Sequence, residues 1–174
     1  MSVSVVEAST SMAKQNSKEI GNKFERRVAK DLSKWIYNDP HVLKREPTSG
    51  AIKHVYSGDI FPMKQIREDQ PDWNMIIECK YGYAQFTPTL LNYNIIEKWY
   101  LKVLSEANET KDQKTIMLIC NFKGKKGILL CTNKELSGIH CRCVLCIRNN
   151  GNIEWVFCYD YNRMLKYSYK EVFC

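Results

Sequence analysis

Ile20, Phe24, Val28 and Leu32 recur at every fourth residue, and Trp35 and Ile36 follow, so the chain opens its patterned region with a predicted helix that buries one face. Ser17 is placed to cap it, and Asn38-Asp39-Pro40 ends it. The opposite face is basic, with Lys23, Arg26, Arg27, Lys30 and Lys34. Residues 1–15, rich in Ser, Ala and Thr, lack a sustained period and are expected to form a flexible N-terminal tail. His41–Arg45 reads as a short strand, followed by a Pro-Thr-Ser-Gly turn. Ser57-Gly58-Asp59-Ile60-Phe61 leads into a second strand. The polar stretch from Pro62 to Asp72 is a loop, and Trp73–Tyr81 is a third strand whose Met75, Ile76 and Ile77 imply burial.

Thr87-Pro88 starts a second helix, carried by Leu91, Ile95, Trp99 and Val103 to about Ala107. Thr115–Phe122 and Gly127–Thr132 form a hairpin across Lys123–Lys126. A second hairpin joins Ile139–Arg148 to Ile153–Tyr161 through Asn149-Asn150-Gly151-Asn152. Neither an internal repeat nor a dividing linker interrupts this order. The simplest packing is an α/β fold with one mixed central sheet flanked by helices. The expected division is a single domain over residues 16–174. Its core covers about 17–132, and a C-terminal β-hairpin extension covers about 133–174.

A chain of 174 residues with 44% hydrophobic and 26% charged residues has the composition of a globular protein. The longest strongly apolar run, about Thr115–Cys120, is far short of the roughly 20 residues that span a bilayer. The N-terminus has neither a basic n-region nor a useful apolar stretch. The expected location is therefore intracellular, cytoplasmic or nucleoid-associated, with no membrane partner. The eight cysteines are read as reduced thiols. A net charge of +7 suggests a polyanionic partner without identifying one.

Candidate chemistry concentrates in Ile76-Ile77-Glu78-Cys79-Lys80. Residues two apart on a strand share a face, so Glu78 and Lys80 project together while Ile77 and Cys79 point the other way. Alone, an acid and a base so spaced are usually a solvated face. Asp59, which begins an apolar step on the preceding strand, can lie beside Glu78. Glu25, next to Phe24 at the rim of the first helix's apolar face, can reach the same end of the sheet. Carboxylate oxygens are the usual ligands of Mg²⁺, which keeps waters and binds phosphates.

Gly21-Asn22-Lys23-Phe24-Glu25-Arg26, Arg45, Ser49-Gly50, Gly58-Asp59-Ile60 and Ile77-Glu78-Cys79-Lys80, in that order, resemble the PD-(D/E)xK nuclease superfamily, and within it the archaeal-type Holliday junction resolvases. The resemblance covers residues 17–120 and implies a restriction-endonuclease-like core. It places the metal-binding acids on Glu25, Asp59 and Glu78, assisted by the Cys79 carbonyl, and the catalytic lysine on Lys80. The helix and strand arginines fall on Arg26 and Arg45, and the turn serine on Ser49. It further implies a Mg²⁺-dependent endonuclease (Mn²⁺ substituting) that cuts branched DNA as a homodimer and leaves 5′-phosphates. Cleavage of linear or single-stranded DNA, or nucleic-acid binding without catalysis, is the alternative. Arg27, Lys30, Lys125 and Lys126 complete the expected nucleic-acid contacts. Gly58 stands where the motif's nominal proline would be.

A literal Pro71-Asp72 lies six residues before Glu78, about 20 Å away along an extended strand, and is not expected to share the metal. Cys141 and Cys146 do not alternate onto one face and lack a second Cys-x₂-Cys pair, so interior strand positions explain most of the His140–Cys146 cluster. Trp155, Phe157, Tyr159 and Tyr161 alternate onto one face, which suits a buried sheet face or a dimer contact better than base stacking.

Overall fold

The computed structural model describes residues 3–46, 58–63, 66, 68, 70–82, 93–109, 114–123 and 127–173, with the side chains of the first helix described from Ser17 onward. That helix, α1 (Val3–Tyr37), is 35 residues long. It buries Phe24, Val28, Ala29, Leu32 and Ile36, whereas Ile20 stays exposed. Ser17 lies inside the helix and does not cap it. Residues 3–16 contain neither glycine nor proline, so nothing in the expected tail breaks the helical backbone. Asn38, at φ +55°, ends the helix in the left-handed conformation that asparagine tolerates. The buried Ser33 hydroxyl accepts from the amides of Val42 and Leu43, which fixes the chain as it leaves α1 for the sheet.

The sheet has seven strands: β1 (Leu43–Arg45), β2 (Ile60–Pro62), β3 (Met75–Tyr81), β4 (Thr115–Asn121), β5 (Leu129–Thr132), β6 (Cys143–Asn149) and β7 (Asn152–Asp160). Their spatial order is β1-β2-β3-β4-β5-β7-β6. β3 and β4 are parallel, joined by a crossover containing α2 (Tyr93–Asn108), and every other pair is antiparallel. Met75, Ile77 and Cys79 of β3 pack with α1, while Ile76 packs with α2. Covered on both faces, β3 and β4 must be apolar almost throughout, which is why they read as runs rather than alternations.

The buried face of α2 is Ile96, Tyr100, Val103, Leu104 and Ala107. Of the predicted stripe, Ile95 and Trp99 only flank this core, and the proposed start at Thr87-Pro88 lies outside the described residues. Both predicted hairpins form. Asn150 and Gly151, at φ +48° and +85°, make the two-residue turn between β6 and β7.

β7 pairs with β5, so the second hairpin is built into the sheet. Two short helices follow, α3 (Tyr161–Met164) and α4 (Tyr169–Phe173), and bury Tyr161, Met164, Val172 and Phe173 in the α1-side core. Sequence patterning did not predict them. Trp35 of α1 meets the rings of Tyr169 and Phe173 edge-on and donates to the Tyr167 carbonyl at 2.7 Å. Tyr159 and Tyr161 are buried, whereas Trp155 and Ile153 of β7 and Val144 of the edge strand β6 are exposed. Among the described residues no helix is long and apolar enough to cross a membrane.

Candidate active site

The candidate chemistry gathers where the start of β2 approaches β3. Ile60↔Ile77 is their one paired position, which puts Asp59, just before it on one strand, on the same side as Glu78, just after it on the other. Gly58 adopts φ +96°, and a Cβ built there would lie 2.7 Å from the Ile77 carbonyl oxygen. Proline cannot adopt that φ, and any side chain would collide with β3 backbone, so glycine replaces the motif's nominal proline for a local steric reason. The close approach lets the Asp59 amide donate to the Ile77 carbonyl at 2.7 Å. It also brings Asp59 Oδ2 to accept from the Cys79 amide at 2.8 Å.

Asp59 is 8% exposed and Glu78 4%. Burial raises the Asp59 carboxyl first, the Glu78 charge adds to it, and Glu25 adds further. The Cys79 amide and Lys80 oppose these, yet Asp59 is pushed up to about 7. Lys80 Nζ, on the same face of β3, donates to Glu78 Oε1. From α2, Lys102 Nζ stands 3.8 Å from the same oxygen and 3.5 Å from Glu106. Lys102 was not singled out in the sequence. It is 62% exposed, one position before the buried Val103, and nothing local separates it from an ordinary surface lysine.

Glu25 projects from α1 into an ion pair with Arg45 Nε at 2.5 Å, both side chains largely buried. Arg45 is thus engaged by Glu25. Arg26, Arg27 and Lys30 are exposed on α1, with Arg27 3.5 Å from Asp31. Ser49, Lys125 and Lys126 lie outside the described residues. Asp72 is exposed, and its charge is felt at Tyr37, which burial and then Tyr169 and Asp72 push up to about 12. Asp72 therefore sits before β3 begins, away from Glu78.

Among the described residues, no three His, Cys, Asp or Glu side chains stand together at metal-ligand spacing. Glu25 and Glu78 are turned to cations instead. The donor set nonetheless suits a hard divalent ion. Two buried carboxylates lie close enough to interact: burial first and then the Glu78 charge raise Asp59, and a cation would offset that charge. Cys141 Sγ donates to the carbonyls of Cys143 and Cys158, and Cys131 and Cys158 have sulfurs 3.5 Å apart.

The raised Asp59 has a measurable consequence in metal-free protein. A carboxyl with a higher pKa folded than unfolded contributes most to stability when protonated, so stability falls as pH rises from about 4 to about 7. The thermal midpoint in EDTA should therefore drop between pH 5 and pH 8. Millimolar Mg²⁺ should restore it at pH 8 and act weakly at pH 5. Asp59→Asn should flatten both responses, and an unchanged pH slope in that variant would remove Asp59 from the effect.

No curated protein and no solved structure matches the chain. A family model described as "Phage putative PDDEXK endonuclease" matches residues 16–142, nearly three quarters of the chain, from α1 to the residue before β6. That span contains Glu25, Arg45, Asp59, Glu78, Lys80 and Lys102. The chain therefore belongs to this phage PDDEXK endonuclease family, a branch of the PD-(D/E)xK nuclease superfamily of divalent-metal-dependent enzymes.

Proposed function

We propose that the protein is a Mg²⁺-dependent endodeoxyribonuclease that cuts branched DNA, four-way junctions in particular, as a homodimer. The observation that carries the hydrolytic part is the gathering of Asp59, Glu78 and Lys80 where the start of β2 approaches β3. The branched substrate is supported by the resemblance of the helix Glu-Arg, strand Arg, Ser-Gly and Glu-Cys-Lys motifs to junction resolvases. Resolution needs paired incisions, and a two-fold symmetric protein supplies two equivalent sites.

Asp59 and Glu78 would hold the ion, with the Cys79 carbonyl and Glu25 as further donors. When bound, such an ion polarises a phosphodiester oxygen and lowers the pKa of a ligated water. Lys80, poised on Glu78, orients the attacking water and offsets charge on the reacting phosphoryl group. Lys102 brings a second ammonium to the same carboxylate and suits a neighbouring phosphate. The Glu25–Arg45 pair holds α1 against β1, and Arg26, Arg27 and Lys30 extend positive charge along the helix. Among the functional alternatives, the same residues serve cleavage of linear or single-stranded DNA.

The deciding assay compares a labelled four-way junction with matched linear duplex and single strand, in Mg²⁺ and in EDTA. Paired, metal-dependent nicks near the branch point are expected. Equal cutting of all three DNAs would retain the nuclease and remove the junction. Tight binding with no cutting in Mg²⁺ or Mn²⁺ would leave a binding protein.

A further inference from the structure

A polar cavity of about 420 Å³ opens beside the end of β7, and Arg142, Arg163, Lys166, His140, Asp160 and Tyr167 are on its wall. Three permanent cations face one carboxylate there. Asp160 is already committed: Oδ2 accepts from Arg142 at 2.6 Å and Oδ1 from the Arg163 amide at 2.9 Å. The carboxylate thereby holds the Arg142 guanidinium in place. Among the described residues, neither the Arg163 guanidinium nor the Lys166 ammonium has a carboxylate partner. The cavity retains an excess of positive charge that is accessible from solvent.

Its position relates it to the active site. Lys80 pairs with Cys120, Cys120 with Leu129, and Leu129 with Asp160, so Lys80 and Asp160 occupy one cross-strand row. β7 is antiparallel to β5, β5 to β4, and β4 is parallel to β3. β3 and β7 thus run the same way, and both sites open at the same end of the sheet. Three strand spacings separate them, about 14 Å. Duplex DNA advances 3.4 Å along its axis per nucleotide while its phosphates wind around that axis, so a span of about 14 Å lies within a few nucleotides of one strand. A guanidinium binds phosphate oxygens through two parallel N–H groups, and an ammonium adds a point charge.

We infer that this cavity is a remote phosphate subsite, which holds a nucleic-acid backbone phosphate a few nucleotides from the one attacked beside Lys80. The inference rests on the nuclease reading for the identity of the polyanion. Asp160, Arg163, Lys166 and Tyr167 lie beyond the matched family region, and His140 and Arg142 stand at its very end, so most of the subsite comes from the part of the chain that the family match leaves out. It would set a minimum length of DNA on one side of the cut.

The test measures DNA binding without turnover, by fluorescence anisotropy of a labelled 20-bp duplex in EDTA across a NaCl series. The proteins are wild type, Arg163→Gln/Lys166→Gln and Lys166→Glu. Both positions substituted carry solvent-exposed side chains, and circular dichroism checks that the fold is kept. The double variant should bind about 10-fold more weakly at 100 mM NaCl, with the slope of log K against log[NaCl] reduced by about 0.9, one phosphate contact. Lys166→Glu should move both quantities the same way. Wild-type affinity and slope in both variants would overturn the subsite and leave the nuclease reading untouched. Reduced slopes in a protein that cuts no DNA in Mg²⁺ or Mn²⁺ would keep the subsite and end the nuclease reading. Inorganic phosphate broadened in ³¹P spectra by wild type but not by the double variant, with DNA binding equal in both, would assign the cavity to a free anion and overturn the nucleic-acid source.

Discussion

Glu78→Gln should reduce Mg²⁺-dependent DNA cleavage by roughly 10³-fold or more while leaving DNA affinity in EDTA within a few-fold of wild type. The substitution is nearly isosteric, and the amide oxygen can still accept from Lys80, so the β3 backbone and both cores have no reason to move. What disappears is the charge. Glu78 is the group on which Lys80 and Lys102 converge and whose negative charge helps to hold Asp59 up. With an amide there, a divalent ion loses one of its two buried carboxylates, and Lys80 loses the anion that holds its ammonium at the site. Single-turnover cleavage of a labelled substrate beside anisotropy in EDTA separates the two effects. A folded variant that cuts at a tenth of the wild-type rate would move the reacting centre away from Glu78.

The largest effect on stability is expected at Gly58. Gly58→Ala should destabilise the fold by about 2–4 kcal/mol, because φ +96° is unfavourable for any L side chain and the new methyl meets backbone instead of a flexible side chain. The Ile77 carbonyl, 2.7 Å from the built Cβ, also accepts the Asp59 amide. Relief of the collision therefore has to displace the residue that carries the carboxylate. Gly58→Ala should lose cleavage even at temperatures where it remains folded. Urea unfolding by tryptophan fluorescence gives the stability, and cleavage at 15 °C gives the activity. A variant as stable as wild type would mean that β2 approaches β3 less closely than the structure has it.

These two residues also show how far the sequence alone could be read. Glu78 was legible because strand alternation fixes which side chains share a face, and the apolar run before it marks a strand covered on both sides. Gly58 was legible only as a departure from a nominal proline, since its φ and its distance to Ile77 arise from long-range packing. The hairpin turn at Asn150-Gly151 was readable because its residue types match the backbone it needs. The α2 face was misplaced by one position: apolar side chains occupy two adjacent stripes of that helix, and only the sheet beneath decides which is buried. The pairing of Glu25 with Arg45 joins residues 20 apart in the chain and left no local mark. One missed signal was present. Ser168 and Glu171 bond reciprocally, amide to side chain in both directions, and Ser-x-x-Glu is a recognisable start for the α4 helix.

The contact of Trp35 with Tyr167, Tyr169 and Phe173 bears on the order of events during synthesis. Trp35 and its α1 neighbours leave the ribosome well over a hundred residues before the aromatic cluster that covers them. At synthesis rates of about 5–20 residues per second, that interval lasts on the order of ten seconds. During it, the segments that carry Asp59 and Glu78 are already outside the tunnel while one flank of α1 is still bare. A nascent chain arrested before residue 161 would thus carry every acid of the site on an incompletely covered scaffold, so competence to cut DNA should be acquired late, when the aromatic clasp closes.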